Sequence, residues 1–396
     1  MDRIRPSEYW SLYAIPVSPL VRISKWMERA VPKISIVSPR LDAKPWGGRR
    51  LERYGFSLPE ATAIGEAVVT ADDVEIGSGF GAGGTIGDVI ADDPSGRLGT
   101  LASIAVSGRH IFPLLVKLID ASENLSIQVH PNDGEAVGLD RLGKTEAWHV
   151  LAADPGAKLF VGLQPGVTLE TFAAAARKLD GSSASLMRAL DAEPGTTLLI
   201  PAGTIHALGA GVMVYEIQQP SDVTFRLDDW GRVDAEGRPR EMHVDQGFGV
   251  AHGDVRPEPI SSIRLSSDVG ERLLLVACRY FALERLTVPA GMALELASGL
   301  SPQVLTVLSG NVAIDGGATS GSLAAGHSAV IWPSDSGTVR IAADGEIVAL
   351  RSWVPDLHAE VIEPARLTGS SDSAIAGLGA PLLDLQHALH RSSSPA

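Results

Sequence analysis

The stretch GTTLLIPAGTIHALGAG at residues 195–211 constrains the fold more than any other part of the chain. Gly195 is followed after five residues by Pro201, after one more by Gly203, and after two more by His206. The apolar run Leu198 to Ile200 reads as a strand that must stop at Pro201, because proline offers no N–H to a ladder. The Ala-Gly turn behind it reverses the chain. His206 is thereby aimed back toward the sheet, as expected at the mouth of a β-barrel.

Two earlier segments carry polar residues that can meet it. In SIQVHP, 126–131, alternation puts Ser126, Gln128 and His130 on one strand face and Ile127 and Val129 on the other. The apolar FPLLVKLI run upstream argues for a buried sheet, so the polar face is expected to line a cavity. In GKTEAWHV, 143–150, Lys144, Glu146 and Trp148 share one parity. Glu146 lies sixteen residues past His130, a spacing that allows a return on the neighbouring strand. A histidine beside an apolar strand is more often a core or surface residue than a ligand. Here His130, His206, Glu146 and the amide oxygen of Gln128 converge from three segments, and that donor set suits a divalent ion such as Zn, Fe or Ni.

After His206 the chain reads VMVYEIQQPSDVTFRLDDWGR. Val214, Glu216 and Gln218 share a strand face, which again puts a carboxylate at an inward position. Asp222 follows the Pro220 turn, where it could simply cap the turn. Arg226 alternates with apolar neighbours in TFRL, and the bland reading of it is an ion pair with Asp228 or Asp229.

The chain has 396 residues, more than one core usually supports, so two or more domains are expected. A formal charge of −14 argues against a nucleic-acid partner, whose phosphates need basic surface, but leaves room for a small phosphorylated substrate. The one cysteine, Cys278, sits in an apolar run, where it reads as a small buried hydrophobe with no internal disulfide available. Residues 1–35 contain no apolar run near the ~20 residues needed to cross a bilayer, and no secretory leader is expected. A short amphipathic helix is expected near 17–30.

A helical insertion is expected over about 168–190, capped by Thr168, with Leu169, Phe172, Ala173, Ala176 and Leu179 at helical spacing and a break at the GSSAS stretch, 181–185, before a second short helix. Only a short helical turn is expected around Ile86 to Ile90. Beyond Pro257 the sequence turns to short strands, such as LERLTV, QVLTVLSG and SAVIWP, between glycine-bearing turns. Gly326 to Pro333 echoes Gly195 to Pro201, but no histidine follows the proline, and His327 reads as a turn residue. The tail from Leu367 is Ser-, Gly- and Ala-rich, with one apolar stretch at 376–390 that can dock as a helix and a disordered SSSPA end.

The spacing around Pro201 resembles the second metal motif of the cupin superfamily. More widely, the chain resembles the type I phosphomannose isomerases, closest to their shorter bacterial form. The resemblance is carried by KPWGGRRL, IGEAVVT, FPLLVKLIDASENLSIQVHPND, GKTEAWHV, IPAGTIHALGAGVMVYEIQQPSDVTFRLDDWGR and, less specifically, LLVACRYFAL, in order over about residues 36–285. Val68 departs from it, standing where the family usually has tryptophan. The first 35 residues and the serine-rich end have no counterpart.

This resemblance implies a mainly β protein of two cupin-like jelly-roll barrels. The expected parts are an extension over 1–35, a metal-binding domain over 36–257, a metal-free second domain over 258–366 and a tail over 367–396. It implies zinc-dependent interconversion of mannose 6-phosphate and fructose 6-phosphate, with one zinc ion per chain held by Gln128, His130, Glu146 and His206. Arg226 falls on the family's catalytic arginine, and Ser126, Lys144, Glu216 and Asp222 fall on substrate-pocket positions. A cytoplasmic enzyme is implied, with a sugar phosphate as its partner, no nucleic acid or membrane, and a monomer favoured.

The residue types suit such chemistry. Moving a carbonyl between C1 and C2 requires proton removal beside it, and charge develops on the enediolate oxygens. Glu216, Lys144 and a metal-bound water are all candidate bases. Two other classes fit the same scaffold: an Fe(II) oxygenase built on the two-histidine, one-carboxylate set, and a noncatalytic sugar-binding protein.

Overall fold

The computed structural model describes residues 31–233 and 237–392, so the expected helix near 17–30 and residues 393–396 lie outside the described residues. The described chain is mainly β, with four antiparallel sheets.

The six-stranded sheet runs in the order Thr197–Ile200, Glu146–Ala153, Val212–Gln218, Leu115–Ala121, Arg40–Gly48, Ile64–Thr70. The five-stranded sheet runs Phe225–Asp228, Ile127–Val129, His206–Leu208, Lys158–Leu163, Met187–Asp191. Side chains from both fill one core, in which Ile119, Trp148, Val150 and Val214 of the first meet Leu159, Val161 and Leu208 of the second.

Strand periodicity explains why the six-stranded sheet reads as nearly continuous hydrophobic sequence. Along Val212–Gln218, Val212 and Val214 point into the core shared with the five-stranded sheet, while Met213, Tyr215 and Ile217 point the other way. That opposite face packs on Val304, Val330, Trp332 and Leu350 of an eight-stranded sheet, and the Tyr215 hydroxyl meets Ser352 Oγ at 2.8 Å. The eight-stranded sheet in turn covers a four-stranded one through Leu305, Ile331 and Ala349. Four sheets are thus stacked, and the middle two share a core.

The eight-stranded sheet contains Lys33–Ser38 and Glu75–Gly79 at one edge, next to Ser328–Trp332. Lys33–Ser38 straddles the expected boundary at residue 35 and pairs directly with Ser328–Trp332 of the C-terminal half, and Glu75–Gly79 joins the same sheet only through it.

The helical segment after Thr168 is shorter than expected. Thr168 Oγ accepts the Thr171 N–H, and the helix spans Leu169–Ala176 with Phe172, Ala173 and Ala176 buried. It cannot continue through Leu179 and Gly181, which both take positive φ. Met187–Asp191 is instead a strand on the edge of the five-stranded sheet. An unexpected helical span, Pro94–Ala105, begins with Asp93 as cap and Pro94 in its first turn. It is broken at Gly99, where a Cβ would come within 2.2 Å of the Leu300 carbonyl oxygen. In the tail, helices Asp372–Gly377 and Asp384–Ser392 dock on the body through Ile375, Leu385 and Leu389.

Candidate metal centre

The turn at 201–204 builds the centre. Gly203 takes φ +85°, and a side chain there would meet the His252 ring at 2.4 Å. Its N–H donates to the His130 carbonyl oxygen at 2.8 Å, which ties the turn to the SIQVHP segment. The chain then re-enters the five-stranded sheet at His206, opposite Gln128. Arg226 flanks Gln128 on the other side.

Glu146 reaches the same point from the six-stranded sheet. The sixteen-residue connection therefore crosses to the facing sheet, not to the neighbouring strand as expected, because Ile127–Val129 is already paired on both sides.

His130, Glu146 and His206 are buried, and their ligand atoms lie within 4.8 Å of one another, the one such cluster among the described residues. Nε2 of His130 is 3.5 Å from Glu146 Oε2, and Nε2 of His206 is 3.3 Å from Glu146 Oε1. The Gln128 amide reaches to 3.3 Å from His206 Nε2, where a half-turn of the amide presents its oxygen. Four donors about 2.0–2.1 Å from a tetrahedral zinc lie about 3.3 Å apart, so the donors need little movement.

Both imidazoles are oriented from behind. His130 Nδ1–H donates to the Val223 carbonyl and His206 Nδ1–H to the Thr204 carbonyl, each at 2.8 Å, which leaves both Nε2 lone pairs facing the centre. Burial, followed by the charge of Lys144, holds His130 well below its ordinary pKa. Burial also lowers His206, against the opposing pull of Glu146. Neutral, lone-pair-bearing rings are the form that ligates metals.

Glu146 Oε1 is buried with no hydrogen-bond donor, and that orphan oxygen is what a bound cation would satisfy. The chemistry and spacing of the donor set thus fit zinc. Burial works against the Glu146 carboxylate, but Lys144, His206 and Lys117 together outweigh it and lower its pKa. Lys144 is no solvated loop residue: it is 5 % exposed, with Nζ 2.7 Å from Glu146 Oε2 and 3.0 Å from His130 Nε2.

A cavity of about 540 Å³ opens over the centre, with Gln128, Lys144, Glu216, Ser126 and Arg226 in its wall. Glu216 is buried. Its Oε2 accepts the Trp148 Nε1–H at 2.9 Å, and its Oε1 lies 3.7 Å from Lys117 Nζ. The Trp148 ring also meets His206 edge-on, with centroids 5.5 Å apart.

Arg226 has no carboxylate partner among the described residues. Asp228 is occupied by Gly181, Ser183 and Trp230, and Asp229 by Arg232. Asp222 lines the mouth with its carboxylate 85 % exposed, 3.7 Å from Arg141 Nε. The neighbouring Val223 carbonyl is what orients His130.

The wall also holds residues the sequence reading passed over: Lys44, Glu66, Lys117, Arg240 and His243. Lys117 had a signal, since a lysine inside FPLLVKLI needs a partner when buried. Burial opposes its charge, but Glu216, Glu66, Glu146 and Asp42 outweigh that and raise its pKa. Arg240 had none, being fourteen residues beyond Arg226 in a loop.

Residues 37–147 match the family described as "Phosphomannose isomerase type I, catalytic domain". A mannose-6-phosphate isomerase of Streptococcus mutans is 29% identical over 319 residues, 79% of this chain and 96% of that protein. A Bacillus subtilis protein named "Probable mannose-6-phosphate isomerase GmuF" is 33% identical over 222 residues, 54% of this chain and 67% of that protein. Among solved structures, a mannose 6-phosphate isomerase from Bacillus subtilis superposes with a TM-score of 0.69 at 26% identity, covering 81% of this chain and 99% of its own.

Proposed function

The chain belongs to the type I phosphomannose isomerase family, and from that premise we propose that mannose 6-phosphate and fructose 6-phosphate are interconverted in the cavity over the His130, Glu146 and His206 cluster. The observation that carries this reading is the convergence of those three buried donors with Gln128, directly beneath a cavity walled by Lys144, Glu216 and Arg226.

Gln128, His130, Glu146 and His206 would hold one zinc ion. When bound, zinc supplies a Lewis acid that polarises the sugar carbonyl without any redox change. The protein side chains divide the remaining work. Glu216 is the base: it is a buried carboxylate, fixed by Trp148 and facing the cavity, and it takes the proton beside the carbonyl. Lys144 already donates to a carboxylate and an imidazole, so it serves as a cationic donor, not as a base. Arg226, level with Gln128, meets the charge that develops on the enediolate oxygens. Ser126 and Asp222 contact the remainder of the sugar at the wall and the mouth.

We read the four stacked sheets as two cupin-like barrels, the first metal-binding and the second metal-free, with 258–366 as the core of the second and 367–396 docked on it. No described helix is long and apolar enough to cross a membrane. A cytoplasmic location is part of this proposal and rests on the sugar-phosphate substrate alone. A coupled assay following fructose 6-phosphate production from mannose 6-phosphate tests the function. Activity should vanish on chelation and return with zinc; full activity in metal-free protein would sink the proposal.

A further inference from the structure

The cavity's charges are unevenly matched. On one wall Lys44 lies 3.2 Å from Glu66, and Lys117 stands 3.7 Å from both Glu66 and Glu216, so cations and carboxylates compensate one another. On the other wall stand Arg226 and Arg240. Arg226 has no carboxylate partner among the described residues, and its guanidinium donates only a long hydrogen bond, 3.4 Å to the Glu241 carbonyl. Arg240 Nη1 is sealed from solvent yet donates no hydrogen bond. Among the described residues its one carboxylate contact, Asp229 Oδ1, is 3.7 Å away and already held by Arg232 at 2.5 Å.

The backbone fixes this arrangement. The His243 N–H donates to the Arg226 carbonyl at 2.8 Å, which anchors the segment carrying Arg240 against Arg226. Burial, followed by the neighbouring Arg240, acts against the charge of Arg226 and outweighs the opposing pull of Asp229 and Glu241. Two guanidinium groups facing one cavity, neither hydrogen-bonded to a carboxylate among the described residues, mark the place where an anion of matching geometry is favoured.

Position separates their roles. Arg226 is level with Gln128, while Arg240 lies against Asp229, past Asp228, whose register partner is Ile127. Arg240 is thus displaced toward Ser126, about 7 Å along the strand from Gln128. That step is comparable with the six bonds separating C2 of a hexose 6-phosphate from phosphorus.

We propose that Arg240 is a specificity residue that grips the 6-phosphate at the Ser126 end of the cavity, leaving Arg226 to face the reacting carbons. The proposal rests on the isomerase reading above and names the residue that makes the phosphorylated sugar the substrate.

The test uses zinc-loaded wild type, Arg240→Gln and Arg240→Lys. In Arg240→Gln, KM for mannose 6-phosphate should rise roughly 10- to 100-fold, the range for losing a charge-assisted hydrogen bond, with kcat within about two-fold. Arg240→Lys should recover part of the loss. Calorimetry with inorganic phosphate should show the same weakening in Arg240→Gln, and this readout needs no turnover. Asp229 keeps Arg232 in both variants, so the fold is retained. A phosphate Kd unchanged in Arg240→Gln would overturn the proposal, as would a fall in kcat at constant KM. Wild type that binds phosphate through Arg240 but turns over no mannose 6-phosphate would overturn the isomerase reading alone.

Discussion

Lys144→Met removes an ammonium from between two of the proposed metal ligands while keeping much of the side-chain volume. In metal-free wild type, Lys144 and its neighbours hold the Glu146 carboxylate below its ordinary 4.5, so this group stabilises the fold above that pH and the contribution is lost as pH falls through the lowered value. Without Lys144, only His206 and Lys117 remain to oppose burial, which is the largest influence, and the expected sign is reversed. The Glu146 carboxyl then resists ionisation, and the fold must hold it protonated at neutral pH. Keeping a group of ordinary pKa 4.5 protonated at pH 7 costs 2.5 units, or about 3.4 kcal/mol, close to the lower end of the usual cost of breaking a buried ion pair. At pH 5 the same term is about 0.7 kcal/mol. The assay is urea unfolding of EDTA-treated wild type and variant at both pH values, followed by circular dichroism. The difference between them should be at least about 3 kcal/mol at pH 7 and smaller by roughly 2.7 kcal/mol at pH 5, because the wild-type contribution is present at both pH values. A difference that does not change with pH, or no difference at all, would refute the argument that Lys144 neutralises Glu146. Zinc content should survive the substitution, because Lys144 supplies no ligand.

His206→Ala should lose the metal, since neither Gln128 nor water equals an imidazole; elemental analysis of the purified variant decides it. Arg226→Lys keeps the charge but loses the planar fork, so kcat should fall on the order of 100-fold or more with a much smaller rise in KM. Steady-state kinetics showing unchanged kcat at normal zinc content would remove Arg226 from the reaction. His327→Ala should change neither zinc stoichiometry nor kcat, because no metal cluster surrounds His327 among the described residues. A second equivalent of zinc in wild type, missing from this variant, would contradict that.

The centre was legible where local geometry determines it. Pro201, Gly203 and His206 specify a turn whatever surrounds them, and parity along SIQVHP correctly paired Gln128 with His130. Sequence spacing says how far the chain can travel but not which sheet it joins, so Glu146 was expected on the neighbouring strand and is found on the facing one. Burial likewise depends on what packs from a distance. Nothing near Lys144 in sequence reveals that it is enclosed by His130 and Glu146, and nothing near Arg240 reveals Arg226. The Pro94–Ala105 span was hidden because Gly96 and Gly99 dilute its helical pattern. Gly99 is there for a contact with Leu300, two hundred residues further on.

The strand Lys33–Ser38 lies inside the eight-stranded sheet, between Ser328–Trp332 and Glu75–Gly79. During synthesis it leaves the ribosome nearly three hundred residues before its partner Ser328–Trp332 exists, and it must wait unpaired on one side while the metal-binding half assembles. Such a distant pairing is slow to close and exposes a strand edge meanwhile. The last sheet to be translated is therefore completed by the first strand of the described residues. A fragment cut between the halves near residue 257 would strand each piece with an orphaned edge, so coexpression of both fragments should rescue solubility that neither has alone.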